Sequence, residues 1–143
     1  MACRTQPLWV FDTNVVLDLF HFDDPVARPL RVALETGCIA CAASPATLAE
    51  WQRVLAYPRF ALSTDQQAQC LAIYAALVEP HADVETRRTP RCSDADDQKF
   101  IDLAWHCGAA VLVSKDLAVL ALGRQSPGFA ILTPAAAVTR LPP

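Results

Sequence analysis

The chain of 143 residues is 53% hydrophobic, carries a net charge of −3 and has a pI near 5.5. Its length suits a single domain over residues 1–143 with a true core, and its apolar content excludes a disordered chain. No apolar run reaches the roughly 18 residues of a membrane helix, and the acidic balance excludes a protein that coats nucleic acid through a general basic field.

The opening "MACRTQP" lacks the charged, apolar and small-residue series of a signal peptide, so a cytoplasmic location is expected. "LWVF" (8–11) reads as a buried strand that runs into Asp12, Thr13 and Asn14. Val15, Val16, Leu19 and Phe20 then take helical spacing, with Asn14 expected to cap that helix and Asp18 expected on its solvated side. A second helical segment runs from Pro29 to Glu35, and Gly37 stands where a left-handed cap would end it. "CIACAA" (38–43) is the second strand candidate. Ser44 and Pro45 start the helix "PATLAEWQRVL", whose buried stripe is Leu48, Trp51 and Leu55, with Glu50 at its flank.

"DQQAQCLAIYAALV" continues as helix, and "ADVE" (82–85) is the third strand candidate. Ser93 and Asp96 have the spacing of a capping box ahead of "DDQKFIDLAWHC". The apolar face of that segment is Phe100, Ile101, Ala104 and Cys107, and Asp97 extends the same stripe by one turn. Gly108 precedes the clearest strand, "AAVLVS" (109–114). Asp116 then leads into "LAVLAL", and "FAIL" (129–132) closes the series. Near-continuous apolar strands alternating with helices predict an α/β fold, in which a parallel sheet of about five strands is covered on both faces.

Six cysteines are present, but the one close pair, Cys38 and Cys41, has no second CxxC and no nearby histidine to complete a zinc site. Buried, reduced thiols are expected. No phosphate-cradling glycine motif occurs.

In an open parallel sheet, ligands bind outside the carboxyl ends of the strands. Asp12 and Asp116 follow two of the strands, and Ser114 can donate into the same crevice. Asp97 points over the sheet from its helix start, and Glu50 can reach the same edge from the start of its own helix. Asp94 and Asp96 lie close by but are less well placed. Each acid alone has an ordinary role as a cap or a solvated residue. Four converging carboxylates repel one another unless cations intervene, and the cations suited to all-oxygen ligands are Mg²⁺ or Mn²⁺.

"VFDTNVVLDLF", "SPATLAEWQRVLAYPRF" and "CSDADDQKFIDLAWHCGAAVLVSKD" resemble, in order, the motifs of the PIN domain family of metal-dependent nucleases. The likeness is to its toxin branch, the VapC-like ribonucleases of toxin–antitoxin pairs, and it runs from about Leu8 to Pro134. It implies a three-layer α/β/α sandwich and hydrolysis of RNA phosphodiester bonds. It further implies Asp12, Glu50, Asp97 and Asp116 as catalytic ligands of one or two ions, with Asn14 and Ser114 as polar supports. "VSKDLAVL" lacks a further Asp that this branch often carries, which leaves the fourth acid to Asp116.

Arg53, Arg87, Arg88, Arg91, Lys99 and Lys115 are the candidates for phosphate contact. His21, His81 and His106 are read as structural or exposed. The branch implies an antitoxin partner, and a groove around Leu17, Phe20 and Phe22 could dock it or form a homodimer. Two rivals stand beside this reading. One is a Mg²⁺-dependent phosphohydrolase of small esters, against which Asp12-Thr13-Asn14 replaces the DxD such enzymes use; the other is a non-catalytic module of the same fold that binds protein or RNA.

Overall fold

Strand β1 (Leu8–Phe11) lies between β2 (Ala40–Ala43) and β4 (Val111–Val113), and every pairing in the sheet is parallel. With β3 (Val78–Pro80) and β5 (Ala130–Leu132) the order is β3-β2-β1-β4-β5. The computed structural model describes residues 6–125 and 127–143; Cys3 and most of the opening "MACRTQP" lie outside the described residues.

Strand alternation divides the core into two layers. Trp9, Phe11, Cys41, Val111 and Val113 face one side of the sheet. There they meet α1 (Thr13–Phe20), α2 (Arg28–Glu35), α3 (Pro45–Leu55), α4 (Thr64–Leu77) and α7 (Pro134–Val138), through Leu19, Leu30, Trp51, Tyr74 and Ala137. Leu8, Val10, Ala42, Leu112 and Ile131 face the other side. They pack on α5 (Gln98–His106) and α6 (Leu117–Leu120) through Phe100, Ile101, Ala104 and Val119. The result is the expected α/β/α sandwich. α7 had no counterpart in the sequence reading, since "PAAAV" is too short and too uniform to show a period.

Three local expectations change. The third strand is Val78–Pro80 and not 82–85. α4 runs straight into it as Val78 turns extended, and His81 donates its N–H to Ala43 O, so the edge of β2 is already used. Ala82, Asp83 and Glu85 are exposed, and Asp83 instead accepts the Ala46 N–H at the start of α3. The thiols do not all bury: Cys41 does, at 3.2 Å from Tyr74 Oη with burial pushing its pKa up to about 12, while Cys38 is exposed. Ser93 does not form the expected capping box, because Asp94 takes the cap and accepts the Asp96 N–H.

The strand order reverses direction between β1 and β4. Their carboxyl ends therefore open a crevice at the topological switch point, where such sheets place their ligands.

Candidate metal centre

Asp12 leaves β1 at that crevice and is 3% exposed. Its backbone is extended and its carboxylate caps α1: Oδ1 accepts the Asn14 N–H at 3.3 Å. The cap is therefore Asp12 and not Asn14, whose side chain is exposed and whose contribution is a backbone N–H. Ser114, just beyond β4, donates its hydroxyl to Asp12 Oδ2 at 2.7 Å. Burial pushes the Asp12 pKa up, and the charges of Glu50 and Asp116 add to it. The Ser114 and Asn14 hydrogen bonds pull the other way.

The same Ser114 Oγ accepts the Asp116 N–H at 3.0 Å, and Asp116 in turn caps α6 through the Ala118 N–H at 2.8 Å. Ser114 thus holds the Asp12 carboxylate and the Asp116 backbone at once. Asp97 closes a 3-10 turn (Ala95–Asp97) and stands immediately ahead of α5, half-buried over the sheet edge. Asp94, Asp97 and Asp116 bring carboxylate oxygens within 4.8 Å of one another. Burial, the charge of Asp12 and a hydrogen bond with Asp116 push the Asp97 pKa up to about 7. Without a cation, the cluster keeps a proton that an ordinary aspartate would have lost near 3.8. An all-oxygen set under such repulsion fits a small divalent ion.

Glu50 reaches the crevice from α3. Its Oε2 accepts a short hydrogen bond from Thr13 Oγ1, and its Oε1 lies 2.7 Å from Lys99 Nζ. Neither Thr13 as a partner nor Asp94 as a member of the group is legible in the sequence. Thr13 was hidden because a buried hydroxyl leaves no periodic trace. Asp94 falls on the crevice only because the 3-10 turn tightens the chain before α5.

A family model described as PIN domain matches residues 9–118. The chain belongs to the PIN domain family. Its fold is similar to that of VapBC2 from Rickettsia felis, solved bound to a DNA fragment from their promoter. The TM-score is 0.59 at 14% identity, over 87% of this chain and 96% of that one. PAE2754 from Pyrobaculum aerophilum gives a TM-score of 0.59 at 15% identity, over 96% and 97%. No curated protein sequence matches the chain.

Around the acids of this PIN domain, several expected phosphate contacts already have protein partners. Lys99 also donates to Asp96 O at 2.6 Å. Arg91 donates to Thr86 O and, at 2.8 Å, to Thr89 Oγ1, and lies 3.6 Å from the buried Asp102. Thr89 and Gln98 also donate to that carboxylate, so Arg91 belongs to a network that ties the segment before α5 onto the helix. Arg88 lies over the Trp105 ring, and Arg53 and Arg87 extend into solvent. Lys115 pairs with Asp18 at 2.7 Å. That pair corrects another expectation: Asp18 is 5% exposed, because α1 buries every residue from Thr13 to Leu19 except Asn14. Among the histidines, His81 contacts Glu79 at 2.6 Å, His21 packs edge-on to Phe60, and His106 is exposed.

The raised Asp97 pKa fixes the sign of a pH effect. Its folded-state proton stabilises the chain fully below about 3.8, and that contribution is lost as pH rises through about 7. In chelator, the melting temperature is expected to fall between pH 5 and pH 8 through this group. Mg²⁺ or Mn²⁺ is expected to raise it more at pH 8 than at pH 6, read by thermal denaturation.

Proposed function

We propose that the chain is a Mg²⁺- or Mn²⁺-dependent endoribonuclease that hydrolyses RNA phosphodiester bonds, and that it acts as the toxin of a toxin–antitoxin pair. The observation that carries the reading is the convergence of Asp12, Asp94, Asp97 and Asp116 at the β1–β4 crevice, with Asp97 pushed up to about 7. PIN family membership and a toxin–antitoxin protein among the structural neighbours support it.

Asp12, Asp97, Asp116 and Glu50 would hold one or two ions, with Asp94 added to the set. A bound divalent ion supplies a lowered pKa for water and neutralises charge on a phosphate. The chain's own residues do the rest. Ser114 holds the Asp12 carboxylate and the Asp116 backbone, the Ala118 N–H holds the Asp116 carboxylate, and Asn14 adds its backbone N–H to Asp12. Thr13 orients Glu50. Asp97 would have to give up its proton to hold a cation, so metal binding is expected to strengthen with pH through about 7. Arg53 and Arg87 are free to meet phosphates, with Arg88, Arg91, Lys99 and Lys115 as further contacts after local rearrangement.

Cleavage of a mixed RNA pool with Mn²⁺, abolished by chelator and restored by excess metal, is the direct test. Cleavage undiminished by chelator overturns the reading. Lys99 offers a finer one, since its ammonium sits where a cation would approach Glu50 Oε1. Lys99→Gln is expected to tighten Mn²⁺ binding several-fold by calorimetry while weakening RNA binding in a filter assay.

The partners that follow are an RNA substrate, a cognate antitoxin protein and a second copy of the chain; of the expected groove residues, Leu17 is buried in the core and only Phe22 is exposed for docking. No helix among the described residues is long and apolar enough to cross a membrane, and a cytoplasmic setting fits the proposed substrate.

A further inference from the structure

Between the end of β3 at Pro80 and the 3-10 turn at Ala95 the chain forms neither helix nor strand, yet it leads Asp94 and Asp97 to the crevice. Among the described residues, its backbone-to-backbone hydrogen bonds lie at its two ends, from His81 N–H to Ala43 O and from Asp97 N–H to Asp94 O. A stretch without a ladder is held by the side chains that reach it. Three such contacts, at Thr89, Pro90 and Cys92, come from one residue, Gln98, the first of α5.

The Gln98 amide works in both directions. Its Oε1 accepts the Cys92 N–H at 2.7 Å, and its Nε2 is shared among Pro90 O at 3.1 Å, Thr89 Oγ1 at 3.2 Å and Asp102 Oδ1 at 3.0 Å. An N–H on one side, and a carbonyl with a carboxylate on the other, fix which way the amide turns. Asp102 lies one turn further along α5, is 3% exposed and also accepts from Thr89 Oγ1 at 2.5 Å. The carboxylate anchors the amide, and the amide holds the chain. The bond to Cys92 closes a loop over residues 92–98, and that loop carries Asp94 and Asp97. Their oxygens come within 4.8 Å of one another and of Asp116. Like charges that close drive apart without a cation, so the loop needs a brace outside the cluster.

We propose that Gln98 and Asp102 are positioning residues of the metal centre, clasping the loop 92–98 so that Asp94 and Asp97 stand ready opposite Asp116. The inference rests on the metal-binding part of the reading above and not on its RNA chemistry. Gln98→Glu keeps an acceptor for Cys92 but loses the donor. It also sets a carboxylate in place of the amide nitrogen that lies 3.0 Å from Asp102. Asp102→Asn, added to it, returns a donor between the two groups. The clasp therefore predicts a loss in the single variant and a recovery in the double one. Bulk destabilisation predicts no such recovery.

The test is Mn²⁺ titration of the full chain by calorimetry, with circular dichroism and the melting temperature in chelator recorded for each variant. Gln98→Glu is expected to weaken Mn²⁺ binding by about 10- to 100-fold, the range for losing a group that orients metal ligands. Gln98→Ala adds no charge and serves if Gln98→Glu does not fold. It is expected to weaken binding by about 10-fold and to open the Cys92 amide to hydrogen exchange. Gln98→Glu with Asp102→Asn is expected to recover affinity to within about 3-fold of the wild type. In RNA cleavage, the Mn²⁺ concentration at half-maximal rate is expected to rise by the same factor as Kd, with KM for RNA unchanged. Wild-type affinity in the variants at position 98, or no recovery in the double variant, overturns the clasp. A lower melting temperature with unchanged Mn²⁺ affinity assigns the network to folding alone and overturns it too. Clasp-dependent Mn²⁺ binding in a chain that never cuts RNA overturns the ribonuclease reading and supports the clasp. Mn²⁺-dependent cleavage indifferent to position 98 overturns the clasp alone, and a wild type that binds no Mn²⁺ overturns both.

Discussion

Replacing Asp97 with asparagine is expected to lower Mn²⁺-dependent RNA cleavage by roughly 10²- to 10³-fold, the scale of losing one preorganised charge contact in an active site. The same variant is expected to melt higher than the wild type in chelator at pH 8. The two effects share a cause. At pH 8 the ionised Asp97 faces Asp12, Asp94 and Asp116, and the folded chain bears the repulsion. Unfolding relieves it, and asparagine removes it in advance. At pH 5 Asp97 is protonated and shares a hydrogen bond with Asp116, so the stability difference is expected to narrow. Unchanged cleavage together with unchanged Mn²⁺ affinity would mean that the acids at this crevice are not the working set. A trade between activity and stability is a common mark of charge gathered for function.

The largest effect on folding is expected at Trp51. Its side chain is fully buried between the sheet and α4, edge-on to Tyr74 at 6.2 Å, and its indole N–H donates to Cys70 O at 3.4 Å. Truncation to alanine is expected to cost about 3–5 kcal/mol, measured by urea denaturation, because it leaves a cavity and removes the indole hydrogen bond to α4. Against the roughly 5–15 kcal/mol that hold a typical domain together, such a loss brings the chain close to unfolding. Trp51→Phe keeps most of the volume and is expected to cost far less. Since Glu50 is the preceding residue, the alanine variant is also expected to bind metal more weakly whenever it folds.

The sheet and most of its helices were legible because their signals are local and repeated. "LWVF" and "VLV" are uninterrupted apolar runs, Ser44-Pro45 marks a helix start with both a cap and a fixed φ, and Phe100, Ile101 and Ala104 keep a helical period. Asp12 and Asp116 could be placed at the crevice from strand position alone. Asp18 could not be read correctly, because α1 is buried nearly all round and the Lys115 that pairs with the acid comes from 97 residues away in sequence. The third strand escaped for a related reason: Val78–Pro80 sits at the end of a helical pattern, and only pairing with β2 makes it extended. Thr13 and Asp94 depend on Glu50 and on a tight turn respectively, and neither relation has a fixed spacing.

The outer strands also say how this protein can meet others. β3 and β5 are each three residues long, and β3 ends in Pro80, which has no N–H to offer. Such rims give a visiting strand almost no ladder to extend, which is how sheets avoid edge-to-edge aggregation. Strand addition therefore has little to build on at either edge of the described sheet, and the helices carry most of the surface left for a companion.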